Sequence, residues 1–402
     1  MTATTSEMTV LLGDLPVGSL MLDHRGTIEF RWLSSYLNAY PRPVLGQHFL
    51  DDPGGVYRSH TRLPPWFSNL LPEGLLRELV ARQAQVGPDQ EYALLSFLGG
   101  DLPGAVRILP SSESSPAAVQ EDPLQSESGT SQAWHFSLAG VQLKFSANRR
   151  GKGLTVPAEG RGGDWIVKLP SHQFAQVPQN EFATSNWARA SGIEVPEVAL
   201  VPISEIDGLP HSVMSAQEQV AFAIRRFDRP EPGRRLHIED FAQVLDLFPE
   251  QKYDHCNHET LARVILVVVG KAGLLAYLRR LVFMVGSGNG DAHLKNWSLL
   301  YTNPVAPVLS PAYDLVSTIQ YLPDDRMALN LARSRQWSDV TTESFSRLAR
   351  KIGAEQQTVL QEVARSVALI RGAWSDYAKD FGYRADQRSM IERHLRTVPL
   401  LR

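Results

Sequence analysis

The sequence predicts an α+β fold in which strands with few helices precede a mostly helical C-terminal half. Three observations carry this reading. Apolar and polar residues alternate with the two-residue period of strands from Val10 to Trp32. Apolar, strand-like runs return at Trp165–Leu169 and Phe222–Phe227. From Glu259 onward the period is helical, with Leu360, Val363, Val367, Ile370, Trp374 and Tyr377 recurring at three- and four-residue steps along one apolar face.

The bulk composition narrows the classes open to such a chain. Its 402 residues, 43% hydrophobic and 21% charged, are enough for two or three packed units with a sizeable core. Lys plus Arg and Asp plus Glu nearly cancel, 40 against 43, so no global field draws it to nucleic acid or an anionic membrane. Cys256 is the only cysteine, which excludes a disulfide framework and a thiolate metal cluster. The start, Met1 to Met8, has neither a basic segment nor an apolar run before a cleavage site, so no signal peptide is expected. The apolar stretch Leu261–Met284 is broken by Lys271, Arg279 and Arg280, which fits a buried helix better than a membrane span. A cytoplasmic protein with no membrane partner is expected.

The elements follow in order. Val10–Trp32 folds around the turns Asp14-Leu-Pro and His24-Arg-Gly as a short antiparallel meander. Pro72-Glu-Gly-Leu-Leu-Arg reads as a helix with proline at its start and acids in its first turn, Glu91–Leu98 as a second helix, and Gly104–Pro110 as a closing strand. Ser111 to Gln132 is rich in Ser, Glu, Pro and Gln and holds almost no large apolar residue, so it reads as a linker or insert. Phe136–Ser146 is a Gly-centred turn between two strands, and Trp165–Leu169 is an apolar strand. Asn180–Gly192 reads as a helix with a capping residue, an acidic first turn and a terminal glycine. Val195-Pro-Glu-Val then leads back to strands.

The chemistry concentrates in Gly286-Ser-Gly-Asn-Gly-Asp-Ala-His-Leu-Lys-Asn296. Its glycines break the preceding apolar helix, and its last six residues hold a carboxylate, an imidazole, an ammonium and an amide. Phosphoryl transfer needs a carboxylate to orient the acceptor hydroxyl, and kinase catalytic loops place a metal-binding Asn five residues after it. Asp291 and Asn296 have that spacing. Trp297–Tyr301, the turn at Thr302-Asn-Pro and Pro307–Leu309 read as a hairpin, which returns the chain so that Asp314 lies near both. Asp314 and the Asn296 amide oxygen then form a hard-oxygen pair suited to Mg²⁺. Taken singly, Asp291 and Asn296 are turn formers and Asp314 a helix cap. His293 supports the loop by hydrogen bonding or acts as a base, and Lys295 either steadies the transferred phosphoryl group or is a solvated lysine.

Lys168 stands in an otherwise apolar strand, where it is either a phosphate-binding lysine or an edge-strand lysine that blocks aggregation. The helix after it carries Glu181, a carboxylate to orient it. Ser137–Lys144 is a weaker signal, a single-glycine turn that admits phosphate to backbone amides or is only a hairpin turn. Arg225 and Phe227 fall on a segment between lobes whose backbone binds adenine, with Phe227 otherwise a core residue.

With these segments in place, the chain resembles the HipA family of serine/threonine kinases, the toxin halves of bacterial toxin–antitoxin pairs. The resemblance runs through Phe67–Gly74, Leu98–Ala105, Ser137–Lys144, Ile166–Pro170, Asn180-Glu181, Arg226–Arg229, Leu236–Phe241, Asn289–Asn296 and Ala312–Ser317. It implies a protein-kinase-like two-lobed α+β fold with an added N-terminal α+β subdomain. The divisions are 1–110 for that subdomain, 111–135 for the linker, 136–230 for the N-lobe and 231–402 for the helical C-lobe.

It implies ATP and Mg²⁺ as cofactors, Asp291 as catalytic base, Asn296 and Asp314 as metal ligands and Lys168 as phosphate-binding lysine. Gly140 and Gln142 lie in the phosphate-covering loop, and Ser137 matches a serine whose autophosphorylation ejects that loop and disables ATP binding. Arg225 replaces a glutamate of the best-known member, which puts weight on backbone contacts to adenine. The implied partners are a small helix-turn-helix, HipB-like antitoxin, operator DNA mainly through that antitoxin, and a protein substrate such as glutamyl-tRNA synthetase or another aminoacyl-tRNA synthetase. Two other readings are a catalytically silent antitoxin- and operator-binding scaffold and a small-molecule kinase.

Overall fold

A computed structural model describes residues 6–111, 143–150, 153–156, 162–171, 173–209, 218–322 and 324–402. Ser137, Gly140 and Gln142, and nearly all of the 111–135 linker, lie outside the described residues.

The alternation of Val10–Trp32 becomes three strands, β1 (Ser6–Leu12), β2 (Leu15–Leu22) and β3 (Thr27–Trp32). Alternate residues of β1 and β3 point inward, and β2 does the same with a register shift opposite Val10 and Leu11, so Met8, Val10, Val17, Leu20, Ile28 and Phe30 are fully buried. β4 (Tyr57–His60) and β5 (Val106–Pro110) complete an antiparallel sheet in the order β4-β3-β2-β1-β5. Four helices attend it: α1 (Ser34–Leu37), α2 (Pro65–Ser68), α3 (Gly74–Gln83) and α4 (Glu91–Leu98). The helix expected from Pro72 starts two residues later, because Glu73 is extended at the cap position and Gly74 has a φ of +56°. Glu73 is therefore outside the first turn, and its side chain is used elsewhere.

The second sheet joins β6 (Lys144–Arg150), β7 (Gly153–Thr155), β8 (Trp165–Lys168), β9 (Val198–Pro202), β10 (Ile206–Asp207) and β11 (Val220–Arg225) in the order β10-β7-β6-β8-β11-β9. β8 is paired antiparallel on both sides, so Lys168 is not an edge-strand lysine. The two sheets share one apolar core, in which Val10, Phe30 and Trp66 belong with Phe145, Val167 and Ala223. The composition change near residue 111 is thus no boundary in the core.

α5 (Val177–Ala190) begins three residues before the expected Asn180, with Pro178 in its first turn. Asn180 is not a cap. It is buried inside the helix, where its Nδ2 donates to the Ser317 carbonyl at 3.0 Å and its Oδ1 accepts from the Ser317 amide at 3.0 Å. Trp187, on the same helix, is fully buried against Phe283, Trp374 and Phe381, and its Nε1 donates to the Ile370 carbonyl at 3.1 Å. Burial of one such ring stabilises the docking by about 1.5–3 kcal/mol.

The rest is a helical body around a three-stranded sheet of β12 (His237–Asp240), β13 (Ser298–Asn303) and β14 (Ala306–Leu309). β13 and β14 form the expected hairpin, and β12 pairs with β13 on its other side. The helices are α6 (Phe241–Val244), α7 (His258–Val268), α8 (Lys271–Ser287), α9 (Thr342–Ile352), α10 (Gln356–Tyr377) and α11 (Ala385–Thr397). α8 lies at the centre, its Leu278, Val282, Phe283 and Val285 fully buried, and α10 packs on it. The expected apolar face of α10 ends one turn early: Trp374 is buried, while Tyr377 is exposed. Among the described residues no helix is long and apolar enough to cross a membrane.

Candidate active site

Between the second sheet and the helical body lies a cleft of about 700 Å³, whose lining includes Lys144, Lys168, Glu181, Asp291, Asn296 and Asp314. Its size is that of a pocket for a small organic ligand.

Three local structures bring the polar groups to it. α8 ends at Ser287 because Gly288 takes a left-handed φ of +62°, which turns the chain into the loop that carries Asp291 to Asn296. The loop is pinned by Thr318, whose Oγ1 accepts from the Gly290 amide at 2.6 Å and donates to Asp325. The β13–β14 hairpin then returns the chain to Asp314, whose own φ is +54°; aspartate tolerates this conformation better than most residues. The Asn289 Nδ2 donates to the Asp314 carbonyl at 3.4 Å, which ties the two segments.

At one end of the cleft the Lys168 ammonium donates to both Glu181 and Asp314, and Lys144 donates to Asp314 at 3.4 Å. Burial opposes ionisation of Asp314, but Lys144 and Lys168 outweigh it and hold the carboxyl well below the usual aspartate range. Burial likewise works against the Lys168 charge, yet Asp314 and Glu181 raise its pKa. For Glu181, burial prevails over Lys168 and the shift is upward. Lys168 is only 4% exposed, so this charge has no reason to be here except its partners or a ligand.

At the other end Asp291 is open to the cleft. Enclosure by the cleft walls pushes its carboxyl above the aspartate range, against a hydrogen bond from Tyr253 Oη to Oδ1 at 2.6 Å and the nearby Lys252 charge. His293 is buried and neutral: burial, then Lys252, drives its pKa to about 3, and its ring meets Tyr253 edge-on at 5.0 Å. Asn296 is buried, and its Oδ1 has no hydrogen-bond partner. A buried, unsatisfied carbonyl oxygen in the same cleft as the Asp314 carboxylate offers the oxygen donors that a hard cation takes as ligands, so the residues present fit Mg²⁺.

The remaining expected residues sit as follows. Lys295 lines the cleft but is buried and so is not a solvated lysine; its ammonium pairs with Glu73 at 2.9 Å and donates to the Asn69 carbonyl at 3.2 Å. Phe227 lines the cleft with its ring 5.7 Å from Tyr313. Arg225 also lines the cleft, with an exposed side chain whose Nη2 is 3.5 Å from the Pro230 carbonyl.

Sequence reasoning passed over Glu73, Lys252, Tyr253 and Asp240, all of which line the cleft. Lys144 carried the same signal as Lys168, a charge between apolar strand residues. It also passed over the buried charges beneath the Arg225–Phe227 segment. There Arg226 grips Asp228 through two hydrogen bonds of 2.9 and 2.7 Å, while Arg229 reaches Asp228 at 2.7 Å and Asp101 at 3.3 Å.

The region 8–109 matches the family model described as HipA N-terminal domain, and residues 136–374 match the one described as HipA-like C-terminal domain. Y4dM of Sinorhizobium fredii, which carries a provisional kinase name, is 43% identical over 396 residues, 96% of each chain. The serine/threonine-protein kinase toxin HipA of Shewanella oneidensis is 26% identical over 358 residues, 80% of this chain and 77% of its own. The solved structure of Shewanella oneidensis MR-1 HipA with HipB and operator DNA matches with a TM-score of 0.74 at 21% identity. That match covers 98% of this chain and 96% of that one, and so establishes the common fold.

Proposed function

Because the chain belongs to the HipA family, we propose that it is an ATP- and Mg²⁺-dependent serine/threonine protein kinase, the toxin of a toxin–antitoxin pair. The observation that carries this reading is one cleft uniting Asp291, the unpartnered Asn296 Oδ1, Asp314 and the Lys168–Glu181 pair. Lys168 and Lys144 supply positive charge for the phosphates of ATP, and Phe227 with the adjoining backbone offers a flat apolar seat for adenine. Asn296 and Asp314 would hold Mg²⁺, which when bound neutralises phosphate charge.

Asp291 accepts the acceptor hydroxyl's proton. The hydroxyl oxygen bonds to the γ-phosphorus, the bond to the β–γ bridging oxygen breaks, and its electron pair leaves with ADP. Asp291 suits this role because it is open to the cleft and its raised pKa makes it a better base. His293, neutral and buried, supports the loop. Ser137 is the proposed site of self-inactivation, and the proposed partners are a HipB-like antitoxin, operator DNA through it, and a bacterial protein substrate.

Purified protein with labelled ATP and Mg²⁺ tests the reading. Wild type should label itself at Ser137 or label a co-purified protein, and Asp291→Ala should do neither; equal behaviour of the two sinks the proposal.

A further inference from the structure

The N-terminal subdomain sends one carboxylate into the catalytic loop's support. Glu73, at the start of α3, holds Lys252 through Oε2 at 2.6 Å and Lys295 through Oε1 at 2.9 Å. One lysine precedes the loop in the sequence and the other lies within it. Lys252 precedes Tyr253, whose hydroxyl bonds Asp291, and the Lys252 carbonyl accepts from the Leu294 amide at 3.2 Å. Lys295 precedes Asn296. It is also held by the Asn69 carbonyl, from the same subdomain, while the Asn69 Nδ2 donates to the Leu247 carbonyl at 2.7 Å.

Both lysines are less than a tenth exposed, so neither ammonium is replaced by water at little cost if its partner goes. Burial disfavours the Glu73 charge, but Lys295 and Lys252 overcome it and bring the pKa down to about 2, so the group is a carboxylate at neutral pH. The neighbouring Asp240 lies 3.9 Å from Lys295, too far to replace it.

We infer that Glu73 is a positioning residue for phosphoryl transfer, through which the N-terminal subdomain sets the geometry of Asp291 and Asn296. This rests on the kinase reading, and it extends it: the subdomain is part of the catalytic machinery as well as a covering module. Among the described residues Glu73 forms no ion pair with Lys168, whose partners are Glu181 and Asp314, so ATP affinity and reactivity should separate.

The test uses the full chain carrying Glu73→Gln, which keeps size and loses charge, beside Glu78→Gln, an exposed acid on the same helix. Glu73→Gln should lower kcat about 10- to 100-fold with the KM for ATP within about twofold of wild type, the loss expected when a reacting group is slightly misplaced. Amide hydrogen exchange of the 289–297 segment should quicken at least tenfold while β1–β5 and α5 keep their protection. Glu78→Gln should match wild type in both.

Unchanged loop exchange in Glu73→Gln overturns the inference, whatever the activity, and so does a kcat loss shared equally by the KM for ATP. Faster loop exchange in a chain that transfers no phosphate even as wild type upholds the positioning role and overturns the kinase reading alone.

Discussion

At one end of the cleft two lysines and two carboxylates are locked together; at the other a single aspartate faces the open space with one tyrosine hydroxyl on it. Within the locked end Lys168 and Asp314 hold each other charged, while burial lifts Glu181 and lowers Lys144, so Lys168 meets a polyanion with its charge already in place. The open end lifts its carboxylate above the ordinary aspartate range, which makes that group a stronger proton acceptor than a free aspartate. One end is built to bind and the other to react, and four experiments test that division.

The largest effect belongs to the reacting end. Asp291→Asn should lower kcat by about 10²–10⁴-fold, the usual contribution of a general base, with ATP binding retained by titration calorimetry. Parallel loss of ATP affinity would show that the ends are not independent.

Lys168→Met leaves Glu181, which is 1% exposed, without its cation. Removing one partner of a buried pair costs roughly 3 kcal/mol, read as a lower urea midpoint, and the ATP affinity should fall with it. An unchanged midpoint would mean that Lys144 takes over both carboxylates.

Glu73 gives a pH signature. Its folded pKa, about 2, lies below its ordinary value of 4.5, so between these values the unfolded chain binds the proton that the folded chain refuses. The stability it contributes is complete above about pH 4.5 and is lost as pH falls through about 2, roughly 3 kcal/mol in all. Denaturant titrations across that range should show a shallower acid slope in Glu73→Gln; an identical slope removes the ion pairs from the account.

The smallest effect is at Asn296. Its Oδ1 has no hydrogen bond to lose, so Asn296→Ala should leave the thermal midpoint nearly unchanged while the Mg²⁺ needed for half-maximal transfer rises about tenfold. A large drop in stability with unchanged Mg²⁺ demand would make the amide structural.

What could be read from the sequence was whatever chemistry is local. Asp291 and Asn296 share a six-residue loop, the hairpin that brings Asp314 back is bounded by its own turn residues, and Lys168 is conspicuous in an apolar strand. Lys295 misled because a lysine in a polar loop looks solvated, and only the fold supplies Glu73 from far up the chain. Asn180 misled for the opposite reason. Its residue type favours helix starts, but the buried Ser317 amide and carbonyl need a two-sided partner, and tertiary satisfaction overrides local preference. Tyr253 gave no signal at all, since nothing in its neighbourhood of the sequence marks a hydroxyl aimed at Asp291.

The burial of Trp187 has a mechanical side. α5 packs on β9 and β11 on one side and on α10 on the other, so it belongs to both lobes at once. α5 therefore fastens the second sheet to the helical body through one element, and its own Glu181 pairs with the Lys168 of that sheet.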